Sequence, residues 1–156
     1  MRTTTICLGL ALLAGCAKPE PQAAAKDSTA GALGAGAPAP ISLAAVAGKW
    51  NMQVTPETSD SVILSYELVI SPDGSGWTLT FPNRPPVTGR MLATAGDSIV
   101  VEAGPYESAL RKGVQVSTHS VFRLQGADLV GTSVAHYSIT GPDSVKSLRM
   151  HGTRAQ

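Results

Sequence analysis

From residue 49 onward, apolar side chains recur at every second position, and that alternation limits what this chain can fold into more than any other feature. Trp50, Met52 and Val54 share one face of segment 49–55. Leu64, Tyr66, Leu68 and Ile70 do the same, with Ser65, Glu67 and Ser71 opposite them. Trp77, Leu79 and Phe81 then alternate with Thr78 and Thr80. Segments 87–93, 98–103, 114–124, 129–137 and 144–153 bring the count to eight short strands, and no helix of ordinary length is expected. Successive side chains of a strand point to opposite faces, so each segment should bury one face and wet the other. Clusters of Gly, Pro and Asp punctuate the segments, as turns require.

Eight consecutive strands joined by hairpins make an antiparallel meander. Curling the meander shut removes both exposed edges. The expected fold is therefore all-β, an eight-stranded antiparallel up-and-down barrel. A sandwich, or an open sheet completed by a partner, is the alternative. Each hairpin reverses the chain, so connections of equal parity share an end. The second, fourth and sixth are tight, at 72–76, 94–97 and 125–128, and lie with both ends of the domain. The first, third, fifth and seventh span 56–61, 82–86, 104–113 and 139–143 and are mostly longer or stiffer. Loops on a rigid scaffold are where binding resides, so this second end is the expected working face. Pro82, Pro85 and Pro86 stiffen one of these loops. In 104–113 the terminal glycines and the i,i+4 pair Glu107 and Arg111 suggest a short helical turn hinged as a lid, or else a plain long connection.

Ahead of the strands the composition changes. Residues 17–47 hold twelve Ala, three Gly and four Pro and no aromatic side chain, whereas all seven aromatics lie beyond them. Such a stretch has too little apolar bulk to offset chain entropy and is expected to be a disordered tether. The domain boundary falls near Gly48. Nine Lys or Arg face nine Asp or Glu in 48–156, so charge provides no reason to expect nucleic acid as a partner.

The chain opens with a polar stretch carrying Arg2, followed by an apolar run from Ile6 to Leu13, the order of an export signal and too short to span a bilayer. Leu13-Ala14-Gly15-Cys16 closes it and resembles the lipobox of bacterial lipoproteins. That resemblance implies a signal peptide over 1–15, cleavage before Cys16 and lipidation of Cys16. It implies a tether over 16–47 and a membrane-anchored protein of the cell envelope. Ala17, in place of an aspartate, favours the outer membrane, facing the periplasm. Cys7 falls in the discarded peptide, so the domain has no disulfide and no cysteine metal site.

Gly48-Lys49-Trp50 is similar to the G-x-W of lipocalins and other calycins. The resemblance implies that Trp50 plugs the closed end of the barrel, with an arginine from the last strand packed over it. Arg149 is the expected residue, with Arg154 second. A further likeness is to small bacterial barrel inhibitors of secreted metalloproteases, which also begin near such a tryptophan but typically carry a disulfide that this chain lacks.

Motifs for chemistry are sparse. If Leu124 pairs with Leu129, His119 faces Val134 and His136 lies diagonally on the same face, with His151 on the next strand. That face also carries Gln115, Ser117, Arg123 and Thr132, so the histidines read as solvent-exposed and no metal or cofactor is expected. No serine sits in a nucleophile elbow, and there is no phosphate loop or zincin helix. Glu102 and Glu107 read as solvated charges, and the chain is not expected to be an enzyme. Two functions stay open. One is a binder of a small apolar or amphipathic ligand, held near the mouth by Tyr66, Phe81, Tyr106, Arg111 and Tyr137, with Val101 and Val116 beneath. The other is a protein-interaction, inhibitor-like or structural envelope module using the long-loop end on an exported partner.

Overall fold

The computed structural model describes residues 39–156. The strands are β1 (Gly48–Pro56), β2 (Leu64–Ile70), β3 (Trp77–Thr80), β4 (Val87–Ala95), β5 (Ser98–Glu107), β6 (Gln115–Gln125), β7 (Asp128–Tyr137) and β8 (Val145–Arg154). Each pairs antiparallel with the next, and β8 returns to pair with β1, so the sheet closes into an up-and-down barrel. The expected signal peptide, Cys16 and most of the tether lie outside the described residues.

Alternation fixes the two faces. In β1 the burial pattern places Trp50, Met52 and Val54 inside, and in β2 it places Tyr66, Leu68 and Ile70 inside. Leu124 pairs with Leu129 and His119 with Val134, the register the turn at 125–128 leads one to expect. Two of the differences from the expected strand limits bear on the site. β3 stops at Thr80, one residue short of Phe81, for a reason that matters below. β5 runs on through Gly104 to Glu107, with its register against β6 shifting between Ala103 and Tyr106. Gly104 adopts φ +117° there, and a Cβ would sit 2.7 Å from the Val116 carbonyl oxygen. The glycine expected to open a loop is instead a close approach inside the ladder.

One end of the barrel is closed by chain that precedes the strands. Leu43–Val46 forms a single helical turn, α1. Val46 is fully buried in the core, and the Ile41 N–H donates to the Gly96 carbonyl across the end at 2.9 Å. Leu43 lies against Gly74, where φ is +72° and any Cβ would meet its methyls. The tether boundary expected near Gly48 is thus corrected: residues 41–47 belong to the barrel, because Ile41, Leu43 and Val46 supply the apolar contacts that the Ala-rich composition masks.

The tight turns are held by side chains suited to them. In 71–76 the Asp73 carboxylate accepts hydrogen bonds from the Ser71 hydroxyl and from the Ser75 hydroxyl and N–H, and these hold its pKa down to about 2. A carboxyl depressed on folding contributes stability above its unfolded value near pH 4, and that contribution fades as pH falls toward 2. Asp73→Asn should therefore flatten the decline of stability between about pH 4 and pH 2 in acid titrations followed by circular dichroism.

Inside, the barrel is full. Twenty buried apolar residues form one core, and the space left at its centre, among Leu68, Leu79, Ser120 and Phe122, is about 10 Å³. That is close to the minimum for one water molecule. The buried Ser120 and Ser133 hydroxyls satisfy one another at 2.9 Å.

Candidate functional site

The closed end is built around Trp50. Its ring is fully buried, its Nε1–H donates to the Val46 carbonyl at 2.7 Å, and the Arg154 guanidinium lies 4.3 Å from the ring centroid. Arg154 also donates to the carbonyls of Ala45 and Ala47, tying β8 to the α1 turn. The arginine over the tryptophan is therefore Arg154, and the expectation for Arg149 is corrected. Cross-strand register explains it: Arg154 pairs directly with Trp50, whereas Arg149 pairs with Thr55 and points outward. Arg149 instead donates to the Ser59 carbonyl and the Asp60 carboxylate, both at 2.8 Å, on the first connection. Because Asp60 is almost wholly exposed, Arg149→Ala should cost at most about 1 kcal/mol. Arg154→Ala should cost more, about 1–2 kcal/mol, since it removes a cation–π contact and two carbonyl bonds. Urea unfolding of both variants measures the difference.

At the opposite end the residues expected to hold a ligand hold one another. Tyr66 and Phe81 lie 5.1 Å apart between ring centroids, and Phe81 and Tyr106 stack at 5.7 Å. Tyr106, Val116 and Tyr137 are direct cross-strand partners. Arg111 covers Tyr137, its guanidinium 4.4 Å from the ring centroid. Burial pushes the phenol of Tyr66 well above the usual tyrosine range and raises that of Tyr106. The five side chains thus pack against one another at the mouth.

The expected lid is a stapled turn. The Ser108 hydroxyl accepts the N–H groups of Leu110 and Arg111, the Ser108 N–H reaches the Val114 carbonyl, and Glu107 accepts the Gly113 N–H. Glu107 and Arg111 do not pair, because each has a partner on another loop. Arg84 donates to the Glu107 carbonyl at 3.0 Å, and Arg111 donates to the Asp143 carbonyl at 3.2 Å. These cross-links join the third, fifth and seventh connections at one end, as strand parity requires.

A cleft of about 540 Å³ opens at this mouth, lined by Phe81, Val87, Tyr106 and the 82–86 connection, and two more lie beside it on the outside. One, of about 410 Å³, is lined by Ile63, Leu110, Val145 and Tyr137. Ile63, Leu110 and Val145 are among six exposed large apolar residues of the described chain, and two connections and the first residue of β8 bring them together here. The other is an open groove of about 990 Å³ over the outer faces of β8, β1 and β2, walled by Phe81, Pro82 and Pro85. Sequence reasoning missed Ile63, Leu110 and Val145, since isolated apolar residues in loops, or at the first position of a strand, break no pattern. No family model, curated protein or solved structure matches this chain. The site must therefore be read from its own chemistry.

Of the histidines, His151 lines the larger groove, while His119 and His136 lie away from these clefts. His119 meets Glu102 at 3.2 Å, and that carboxylate also binds Arg90 at 2.7 Å, while His151 meets Asp128 at 3.0 Å. Glu102 is held below the usual carboxylate range chiefly by the Arg90 hydrogen bond. Among the described residues no three His, Cys, Asp or Glu side chains are grouped to hold a metal ion.

Proposed function

We propose that this chain is a lipid-anchored protein of the bacterial cell envelope, held through Cys16, whose lipocalin-like barrel serves as a protein-interaction module. The lipobox-like Leu13–Cys16 run supports the anchor, and Arg154 over Trp50 supports the kinship of architecture. The observation that carries the function is a contrast in space. The interior keeps about 10 Å³, far below the roughly 300–1,000 Å³ of small-molecule sites, while Ile63, Leu110 and Val145 converge on an exposed cleft at the end away from the chain's point of arrival. Grouped exposed apolar residues on a rigid, polar-rimmed end favour a protein partner. An inhibitor-like or a purely structural envelope role would use the same rim, and a small ligand would have to sit in the cleft of about 540 Å³ beside Phe81 and Tyr106, outside the filled interior.

The test is photocrosslinking in cells from a reactive residue at position 145, with one at Leu92, elsewhere on the surface, as control. A discrete adduct from 145 and none from 92 is expected. Ile63→Ser with Leu110→Ser should then abolish the adduct, with stability held within about 0.5 kcal/mol, as for surface changes generally. An unchanged adduct, or a small molecule carried by the purified protein in native mass spectrometry, would overturn the reading.

A further inference from the structure

The outer groove has a feature that only a polypeptide backbone matches. The Ser71 N–H donates to the Gly76 carbonyl, and Val69 and Glu67 pair with Thr78 and Thr80. In an antiparallel ladder the residues that exchange hydrogen bonds alternate, so Val69, Glu67 and next Ser65 turn their N–H and C=O groups to the β3 side. Continuing the register places Pro82 opposite Ser65. Proline has no N–H to donate, so β3 ends at Thr80 and the ladder stops one pair short. Ser65 pairs with Gln53 of β1 only, is exposed, and lies in the groove. Here the barrel keeps a short open edge beneath a proline-stiffened wall.

We propose that this edge of β2 is a strand-addition site that takes an extended, uncharged segment of a partner protein. The proposal rests on the interaction-module reading and names the partner's chemistry. Main-chain hydrogen bonds to Ser65 would supply affinity, and side chains of the segment would meet Phe81 and Pro82 in the groove wall. Charge supports a neutral occupant. Glu67 is engaged by Lys49 at 3.4 Å, Arg84 by Glu107 at 3.9 Å and His151 by Asp128 at 3.0 Å, so the charged groups at the groove already have partners.

The probe is a set of heptapeptides selected from a random phage-displayed library on the purified full chain, then resynthesised with single N-methyl groups along the backbone. Binding should slow exchange of the Ser65 amide hydrogen at least tenfold. N-methylation should weaken affinity tenfold or more at the one peptide position paired with Ser65 and be tolerated at its neighbours, the signature of a main-chain bond to this edge. Ser65→Pro should abolish binding; should that variant misfold, the N-methyl scan on the unaltered protein decides alone. Uniform tolerance of N-methylation, or an unprotected Ser65, overturns the proposal. So does a peptide-free dimer with Ser65 protected, which would make a second copy the occupant. Peptides that protect Ile63 and Val145 instead of Ser65 overturn the edge site and leave the distal-rim function standing. Loss of the position-145 adduct in cells, with peptide still bound at Ser65, does the reverse.

Discussion

Trp50→Ala should cost about 3–5 kcal/mol of folding stability, the range for truncating a fully buried aromatic side chain. Three losses combine. The ring leaves a void at the closed end beneath α1, the Val46 carbonyl loses its 2.7 Å donor, and the Arg154 guanidinium loses the surface it rests on. Trp50→Phe separates these terms, because it keeps most of the apolar area and deletes the N–H; about 1–2 kcal/mol is expected. Against a typical total of roughly 5–15 kcal/mol, the alanine variant would be marginal at physiological temperature. Equilibrium urea denaturation followed by circular dichroism measures both. A cost below about 1 kcal/mol for the alanine variant would mean that Trp50 and α1 are not coupled as described.

Cys16→Ala is expected to remove the protein from membranes altogether. A thioether-linked diacylglycerol and an acylated amine at a new terminus each contribute ~0.8 kcal/mol per buried methylene, and several chains make attachment stable where one is marginal. The barrel's own formal charge is balanced, with nine positive and nine negative side chains in 48–156, so no basic patch would replace the lipid. Fractionation and labelling with a radioactive fatty acid provide the readout: label and pelleting in the parent, neither in the variant, which should accumulate as uncleaved or soluble chain. Pelleting and labelling that survive the substitution would remove Cys16 from its proposed role.

The barrel was legible because alternation, turn residues and strand parity depend only on local order. Eight hairpin-linked segments with Pro72–Gly76-type turns admit few closed arrangements, and the long connections had to gather at one end. Arg154 was legible too, by a signal left unused. Leu148 and Met150 mark the inward face of β8, so an inward arginine must share their parity, which Arg154 does and Arg149 does not. Pairing of loops was not legible. Glu107 and Arg111 have helical spacing, yet tertiary contacts with Arg84 and Asp143 decided their partners. Whether Tyr66, Phe81, Tyr106 and Tyr137 line a cavity or fill it depends on barrel radius and side-chain volume together, which no periodicity encodes. The open edge at Ser65 combines register with the missing N–H of Pro82, and the register was fixed only once β2 and β3 were paired.

Both ends of the domain leave from the same side of the barrel: the Ala155 N–H bonds to the Lys49 carbonyl, and residues 41–47 cross beneath them. A pull exerted between Ile41 and a partner seated at the 82–86 connection would therefore run lengthwise along the strands. The ladder hydrogen bonds of β1 with β2 and with β8 lie perpendicular to that direction. They would be sheared together, not peeled one at a time, and tension would meet seven paired positions on each flank of β1 at once. The arrangement gives the domain a mechanical grain, stiff along its axis, with the α1 turn and its Arg154 bonds as the first elements to yield.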